Sequence, residues 1–387
     1  MQPTHIPATL LQVRLSPPPL GTHLVQRTDL LERIRVANPG VVVVSAPAGY
    51  GKTTLMSQLA ATSERPVAWV SLSEADNDPL QLLMELATAL DRCTPLDPDV
   101  FSSLLSAQPA ILADVLPRLM NSVAHGGDCV LALDDVHTLT APCSVEVLGY
   151  LCTHLARGMQ VLLAGRRLPE LPIAQLRAHG VLVELGPSEL SLKPEHAQTL
   201  FARAGVSVGL EAFDRLYDQT EGWPTGLFLA TLAARGASDT DRALRDFDGA
   251  DPNIVEFLCA ENPVTEPDDL AAFLRATSVL ERVSAPLCDA VLERDDSAAV
   301  LAAMEQTNGF VIALDRRRQW YRYHHLYRQA LQAELTRREP GRAREIHARA
   351  SRWYEAQADY ALAIEHALSA RDEPRVACLL SDHLQAL

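Results

Sequence analysis

The sequence predicts an α/β domain with a parallel, doubly wound sheet, followed by a helical half that carries one small β-hairpin. Three observations point there. Short apolar runs alternate with helical stretches from Val41 to Leu185, a glycine-rich turn follows the first of those runs, and the strand signal almost vanishes from Pro194 onward. Strands that alternate with helical crossovers build parallel sheets, whereas helices in succession build bundles. At 387 residues the chain exceeds a single hydrophobic core and should divide into about two to four domains.

The first segment, Leu24 to Arg33, predicts a short amphipathic helix that leads into the sheet. Val41-Val42-Val43-Val44 then reads as a strand buried on both faces, ending near Ser45. Directly after it comes Ala46-Pro47-Ala48-Gly49-Tyr50-Gly51-Lys52-Thr53, and Lys52 is one of only two lysines in a chain that otherwise uses arginine for positive charge. Gly49 and Gly51 let backbone N–H groups curl inward around an anion. A helix starting near Thr53 would turn its positive end toward that anion. The pattern is that of a phosphate-binding P-loop, with Ala46 where the motif usually opens with glycine, at some loss of backbone freedom. Candidate nucleotide-binding residues are therefore Ala48, Gly49, Tyr50, Gly51, Lys52, Thr53 and Thr54. Lys52 would reach the β and γ phosphates, and the Thr53 hydroxyl would ligate Mg2+.

The remaining strands are expected at Val67 to Leu72, Cys129 to Leu133, Gln160 to Ala164 and Val181 to Leu185, with helices over Pro79 to Cys93 and Ile111 to Ala124 between them. The third strand ends in Asp134-Asp135. Ligands of open α/β sheets bind at the carboxyl ends of strands, so this acidic pair falls on the same edge as the P-loop. Asp134 would hold the magnesium through water. Asp135, one step further, would orient or deprotonate the attacking water.

Past the sheet, Pro194 to Ala234 reads as helices interrupted at Thr220-Glu221-Gly222-Trp223-Pro224-Thr225-Gly226, and a second helical block runs from about Asp268 to Gln306. Two short strands, in Gly309 to Leu314 and Gln319 to His324, flank a turn through Asp315 to Arg318 and suggest a winged helix. From Ala343 to Leu387 the Ala, Trp-Tyr and Leu spacing is that of helix pairs, the start of a helical repeat. One repeat cannot bury its own face, so the chain is expected to be a fragment of a longer protein. The resulting division is 1–190 (nucleotide-binding domain with lead-in), 191–262 (helical lid), 263–338 (winged helix) and 339–387 (start of a helical-repeat arm).

Composition restricts the function classes. A net charge of −15 argues against a general nucleic-acid surface, and the eleven arginines against three glutamates between Arg316 and Arg352 read first as a solvated helical face. The seven cysteines are scattered without a CxxC pair, which fits reduced thiols and no metal site in a cytoplasmic protein. No apolar run is long enough to span a bilayer, and no basic region followed by an apolar stretch marks a leader.

Taken in order, Ala46 to Thr53, Leu131 to Asp135, Leu162 to Pro169, Glu221-Gly222-Trp223-Pro224-Thr225 and Tyr323-His324-His325-Leu326 resemble the MalT-type, LuxR-family ATP-dependent transcriptional regulators, which belong to the signal-transduction ATPases with numerous domains. The resemblance extends from about Leu11 to the end of the chain. It implies ATP or ADP with Mg2+ as ligands, and further roles. Arg166 would be the sensor arginine on the γ phosphate, Pro224 would pack on the base, His324 would grip the β phosphate in the ADP-bound resting form, and Arg27 would lie in the segment covering the adenine. It also implies an ATP form that self-associates and a slow hydrolysis that resets it. Inducer and DNA would be engaged by carboxy-terminal regions outside this chain, so the chain alone should not bind DNA specifically. Two other classes stay open: a P-loop enzyme such as a kinase acting on a small acceptor, and a scaffold that binds nucleotide without hydrolysing it.

Overall fold

The computed structural model describes residues 12–21, 24–235, 237, 239–261, 268–307 and 310–383, and the chain divides into two compact units, Met1–Ser191 and Leu192–Leu387. Leu11, Gly309 and the tail from residue 384, which the sequence reading used, lie outside the described residues.

Unit one is an α/β domain. Its elements in chain order are α1 (Thr28–Ala37), β1 (Val41–Ser45), α2 (Lys52–Thr62), β2 (Val67–Ser71), α3 (Pro79–Cys93), α4 (Pro98–Leu104), α5 (Leu116–Gly126), β3 (Cys129–Asp134), α6 (Pro142–Thr153), β4 (Met159–Gly165), α7 (Ile173–Ala178), β5 (Leu182–Leu185) and α8 (Pro187–Leu190). The five strands lie in the order β2-β3-β4-β1-β5, and every neighbouring pair is parallel. β1, β3 and β4 are almost wholly buried, as continuous apolar strands covered by helices on both faces should be. Capping follows the sequence: Asp78 accepts from Leu80 N–H and precedes Pro79 at the first position of α3, and Asp97 with Pro98 does the same for α4.

One expected helix is divided. Ile111–Val115 is a single wide turn and the regular helix begins at Leu116, because Pro117 brings no N–H to the ladder and belongs in a first turn. Ahead of α1, Arg14 hydrogen-bonds the Ser71 carbonyl and forms ion pairs with the buried carboxylates of Asp76 and Glu85, which ties the chain's leading segment to the end of β2.

Unit two is helical with one hairpin: α9 (Pro194–Arg203), α10 (Leu210–Thr220), α11 (Pro224–Arg235), α12 (Thr240–Asp246), α13 (Pro252–Glu261), α14 (Asp268–Thr277), α15 (Ala285–Leu292), α16 (Ser297–Thr307), β6 (Val311–Ala313), β7 (Tyr321–Tyr323), α17 (His325–Arg338), α18 (Arg342–Ala356), α19 (Tyr360–Ser369) and α20 (Glu373–His383). β6 and β7 pair antiparallel, Val311 opposite Tyr323. The hairpin is pinned by Asp315, whose carboxylate accepts from the N–H groups of Arg317, Gln319 and Trp320, and by the buried pair Tyr323 and Thr277, whose hydroxyls lie 2.6 Å apart. α12 and α13 fill the stretch that the sequence reading left unassigned.

Six described cysteines are free thiols; burial pushes those of Cys152 and Cys288 up to about 12. No helix among the described residues is long and apolar enough to cross a membrane.

Candidate nucleotide site

Within unit one, the sheet order brings the carboxyl ends of β3, β4 and β1 side by side. Ser45 is in register with Gly165, and Leu133 with Leu163. The P-loop after β1, the acidic pair at the end of β3 and Arg166 after β4 therefore share one edge.

The loop takes the backbone that its glycines permit. Gly49 and Gly51 have φ of 77° and 76°, left-handed values that an L side chain adopts at a cost. Gly51 caps α2, so the positive end of that helix's dipole lies at the loop, where an anion is favoured. Lys52 is buried and folds its Nζ over the loop, donating to the Pro47 carbonyl at 2.8 Å. Ala46, Ala48 and Tyr50 are buried around it.

Across the edge, the Thr53 hydroxyl lies on the side of the buried Asp134 carboxylate and favours its charged form. Burial raises the Asp134 pKa, the Asp135 charge adds to that rise, and the Thr53 hydroxyl, the Asp135 N–H and the Lys52 charge only partly offset it. The Asp135 N–H reaches Asp134 Oδ1 at 3.0 Å. A desolvated carboxylate beside a hydroxyl suits a small hard cation that would restore the lost solvation. Among the described residues no cluster of three or more His, Cys, Asp or Glu side chains could hold a metal. An ion here would therefore complete its shell with water and phosphate oxygens, which Mg2+ prefers.

Asp135 stands in left-handed backbone, φ 57° and ψ 37°, uncommon for a residue with a Cβ though commonest for Asp and Asn. This turns its half-exposed carboxylate out of the strand direction, 3.7 Å from Nδ1 of His137. His137 escaped the sequence reading. Burial lowers its pKa, Asp135 raises it, and Arg166, Lys52 and Arg167 lower it further, so its ring shares the electrostatic field of the P-loop lysine and of the β4 arginines. Its signal was a polar residue two positions past the acidic pair on the ligand edge. Gly165 makes room for this arrangement: a Cβ there would meet the Arg167 carbonyl at 2.9 Å and the His137 N–H nitrogen at 3.2 Å.

Arg27 is buried, and its guanidinium is committed to backbone. Nη1 donates to the Leu190 carbonyl and Nη2 to the Glu189 carbonyl, each at 2.6 Å, while the Arg27 N–H donates to Gln58 Oε1 on α2. It acts as a clasp between α1, α2 and the end of α8.

Unit two contains the other two sites. Pro224 is the first residue of α11, and the preceding Trp223 is fully buried. His324 is 1% exposed, edge-on to Trp223 and Phe310, and its Nε2 donates to the Thr220 carbonyl at 3.1 Å. That bond leaves Nδ1 as an acceptor buried without a hydrogen-bond partner. Burial pushes the His324 pKa down to about 4.

Residues 22–164 match the AAA ATPase domain family, and residues 264–343 match the MalT winged helix domain. The HTH-type transcriptional regulator MalT of Yersinia enterocolitica is 30% identical over 389 residues, covering 98% of this chain and 42% of that protein. Over nearly its whole length this chain is similar to the MalT-type regulators. MalT of Klebsiella pneumoniae is 29% identical over 97% of this chain and 42% of its own length, so the chain spans about two fifths of the MalT proteins it matches. A Walker-type ATPase of Pyrococcus abyssi superposes with a TM-score of 0.53 at 14% identity, covering 80% of this chain and 96% of the other, which shows a shared fold. The MalT winged helix match takes in α14 to α17 with the β6–β7 hairpin, and the ATPase match takes in the P-loop and Asp134.

Proposed function

We propose that this chain is the nucleotide-operated switch of an inducer-dependent transcriptional regulator. Adenine nucleotide with Mg2+ would occupy the edge built by the P-loop, Asp134 and Arg166. The observation that carries the reading is a loop with Gly49 and Gly51 in left-handed backbone, ending in the buried Lys52 and sharing one sheet edge with the buried Asp134, in a chain that matches an ATPase domain and a MalT winged helix.

The residues divide the work. Backbone N–H groups of 48–54 and Lys52 would hold the phosphates. Thr53 and Asp134 would hold the magnesium, which supplies charge neutralisation at the β and γ oxygens. The Asp135 carboxylate would orient an attacking water and take its proton, with His137 holding that carboxylate in line. Arg166 would distinguish ATP from ADP, since a guanidinium forks readily onto a terminal phosphate. A ligand shifts a two-state equilibrium only by its differential affinity for the two states, so the ATP form would self-associate because the γ phosphate binds one state better. Hydrolysis would then reset the switch. Arg27 is proposed to serve by clasping the segment that leads out of unit one. The parts given to Pro224 and His324 toward base and β phosphate rest on the MalT-type resemblance. Inducer and DNA would be bound through regions outside this chain, and a cytoplasmic location follows from such a role.

The test is to extract and identify the nucleotide retained by the purified chain, then to compare ATP and ADP binding with that of Lys52→Ala. Retained, exchangeable adenine nucleotide that Lys52→Ala loses, with slow ATP hydrolysis abolished and binding kept in Asp135→Asn, supports the switch. No exchangeable nucleotide, or a Lys52→Ala chain that binds like the parent, overturns it.

A further inference from the structure

Unit two encloses a cavity of about 620 Å³ between the end of α14, α17, α18 and α19, within the size range of small-molecule sites. Nothing in the nucleotide reading uses it, and all its lining residues lie in unit two. Its chemistry is set by two arginines and a histidine pair. Arg328 is half-buried and gives its Nε to the Ser278 carbonyl at 3.0 Å and its Nη2 to the Val279 carbonyl at 3.5 Å. Burial lowers its pKa, and Glu281 only partly opposes this. Among the described residues neither Arg328 nor Arg282, on the same cavity wall, forms an ion pair with a carboxylate. A partly desolvated guanidinium whose partners are neutral carbonyls is a charge in want of a counterion. The carboxylates that line the cavity, Glu281 and Glu365, are both exposed, where water screens them.

The histidines stand opposite. His347 on α18 and His366 on α19 share a hydrogen bond between their Nδ1 atoms at 2.8 Å, and the His366 ring stacks on Tyr354 at 5.2 Å. Such a bond needs one ring to donate and the other to accept, so the accepting ring keeps an Nε2–H to donate to an anion, and the donating ring's Nε2 gains a proton only when the pair is charged. Burial lowers both pKa values, and the Arg328 charge lowers that of His347 further. An anion in the cavity would relieve both the uncompensated guanidinium and the barrier to protonating the pair.

We propose that this cavity is a binding site for a small organic anion, a phosphate monoester or a carboxylate, which the Arg328 and Arg282 guanidiniums and the His347–His366 pair recognise. Its occupant would bridge α17 of the winged helix to α18 and α19. The site is independent of the P-loop, which also takes anions. The assay therefore uses the whole chain in the Lys52→Ala form, titrated by calorimetry with inorganic phosphate and, separately, with succinate.

At least one probe is expected to bind saturably and to weaken tenfold or more in Arg282→Gln and in His347→Gln. The stronger of the two probes identifies phosphate or carboxylate as the source chemistry. Arg328→Gln is expected to abolish binding; because Arg328 also closes the carbonyls of Ser278 and Val279, the exposed Arg282 keeps the test decisive if that variant fails to fold. Saturable binding of neither probe, or binding unchanged in both Arg282→Gln and His347→Gln, overturns the site, whereas loss of nucleotide binding in the parent chain would bear only on the switch.

Discussion

Arg322 on β7 places its two Nη atoms on the two carboxylate oxygens of Glu221, each at 2.7 Å, in a bidentate fork between the hairpin and the end of α10. Glu221 ends α10 in left-handed backbone, φ 51°, and one of its oxygens also accepts the N–H of His325 at 3.3 Å. Burial pushes its carboxyl up, but the Arg322 fork, the neighbouring His324 and the His325 N–H outweigh that and hold its pKa low. The same turn supplies the Thr220 carbonyl to His324. Arg322, His324 and His325 of the winged helix are thus fastened to one helix end.

Breaking this fork should loosen unit two. Glu221→Gln takes the charged half of the fork away from a partly buried guanidinium, at about 1–3 kcal/mol. The expected outcome is faster hydrogen exchange in residues 321–328 and in 216–224 together, with unit one unchanged. Arg322→Met should cost at least as much, because it takes the guanidinium away from the Glu221 carboxylate, the more buried partner of the fork. Equal exchange in all three chains would show that the pair carries no stability.

The magnesium role of Asp134 is open to a direct measurement. An outer-shell carboxylate typically contributes about 10–100-fold in metal affinity. Asp134→Asn should therefore weaken the magnesium dependence of ATP binding by that order while leaving metal-free ADP binding within about twofold. Titrating Mg2+ at fixed ATP checks this. Equal losses for the metal-free and metal-bound nucleotides would mean that Asp134 supports the fold of the edge and not the ion.

How far the sequence was legible differs between the two units, and the reasons are physical. β1, β3 and β4 are apolar at nearly every position because both faces are covered, so their bounds could be read to within a residue. The P-loop was legible because left-handed turns require glycine at 49 and 51. Thr53 and Asp134 could be paired in advance because a parallel sheet sends all strand ends to one edge. Arg27 could not be placed: nothing in a local pattern tells that its guanidinium ends on carbonyls at positions 189 and 190. His137 was missed for the same reason, since its neighbours Arg166 and Lys52 arrive from two other strands. α12 and α13 do carry local start signals, the Asp239 cap and the Asp251-Pro252 pair, but both are short and neither has a strong apolar periodicity.

Gly165 gives a test of that long-range arrangement. In Gly165→Ala the new methyl would press on the Arg167 carbonyl, on Val136 Cγ2 at 3.0 Å and on the His137 backbone. Two of these neighbours are backbone and cannot rotate away, so the turn after Asp135 must shift. The expected loss is about 1–3 kcal/mol in the stability of unit one, with ATP hydrolysis reduced more than ADP binding because Asp135 and His137 move while the P-loop does not. Calorimetry with and without ADP, beside the hydrolysis rate, checks it. Unchanged stability and hydrolysis would mean that the turn has room that the packing denies.

The buried imidazole of His324 makes unit two sensitive to acid, and the sign follows from its pKa. In the fold the value is depressed to about 4 from an ordinary 6.5, first by burial and then by the charges of Arg322 and His325, against Glu221 and the Thr220 carbonyl, which raise it. Above pH 6.5 both folded and unfolded chains hold the ring neutral, and stability is unaffected. As pH falls below 6.5 the unfolded chain takes up a proton that the folded chain refuses, so stability declines until about pH 4, where the folded ring also protonates. The contribution to the slope approaches about 1.4 kcal/mol per pH unit between those limits. His366 and His347 are depressed as well and act in the same window, so the measurement is a difference between parent and variant. His324→Gln keeps a donor for the Thr220 carbonyl but cannot titrate. Hydrogen exchange of residues 310–338 followed from pH 7 to 4.5, corrected for the intrinsic exchange rate, should show a shallower loss of protection in the variant by about one proton. Parallel pH profiles would place the His324 ring in water, against the burial that the Trp223 and Phe310 edges impose.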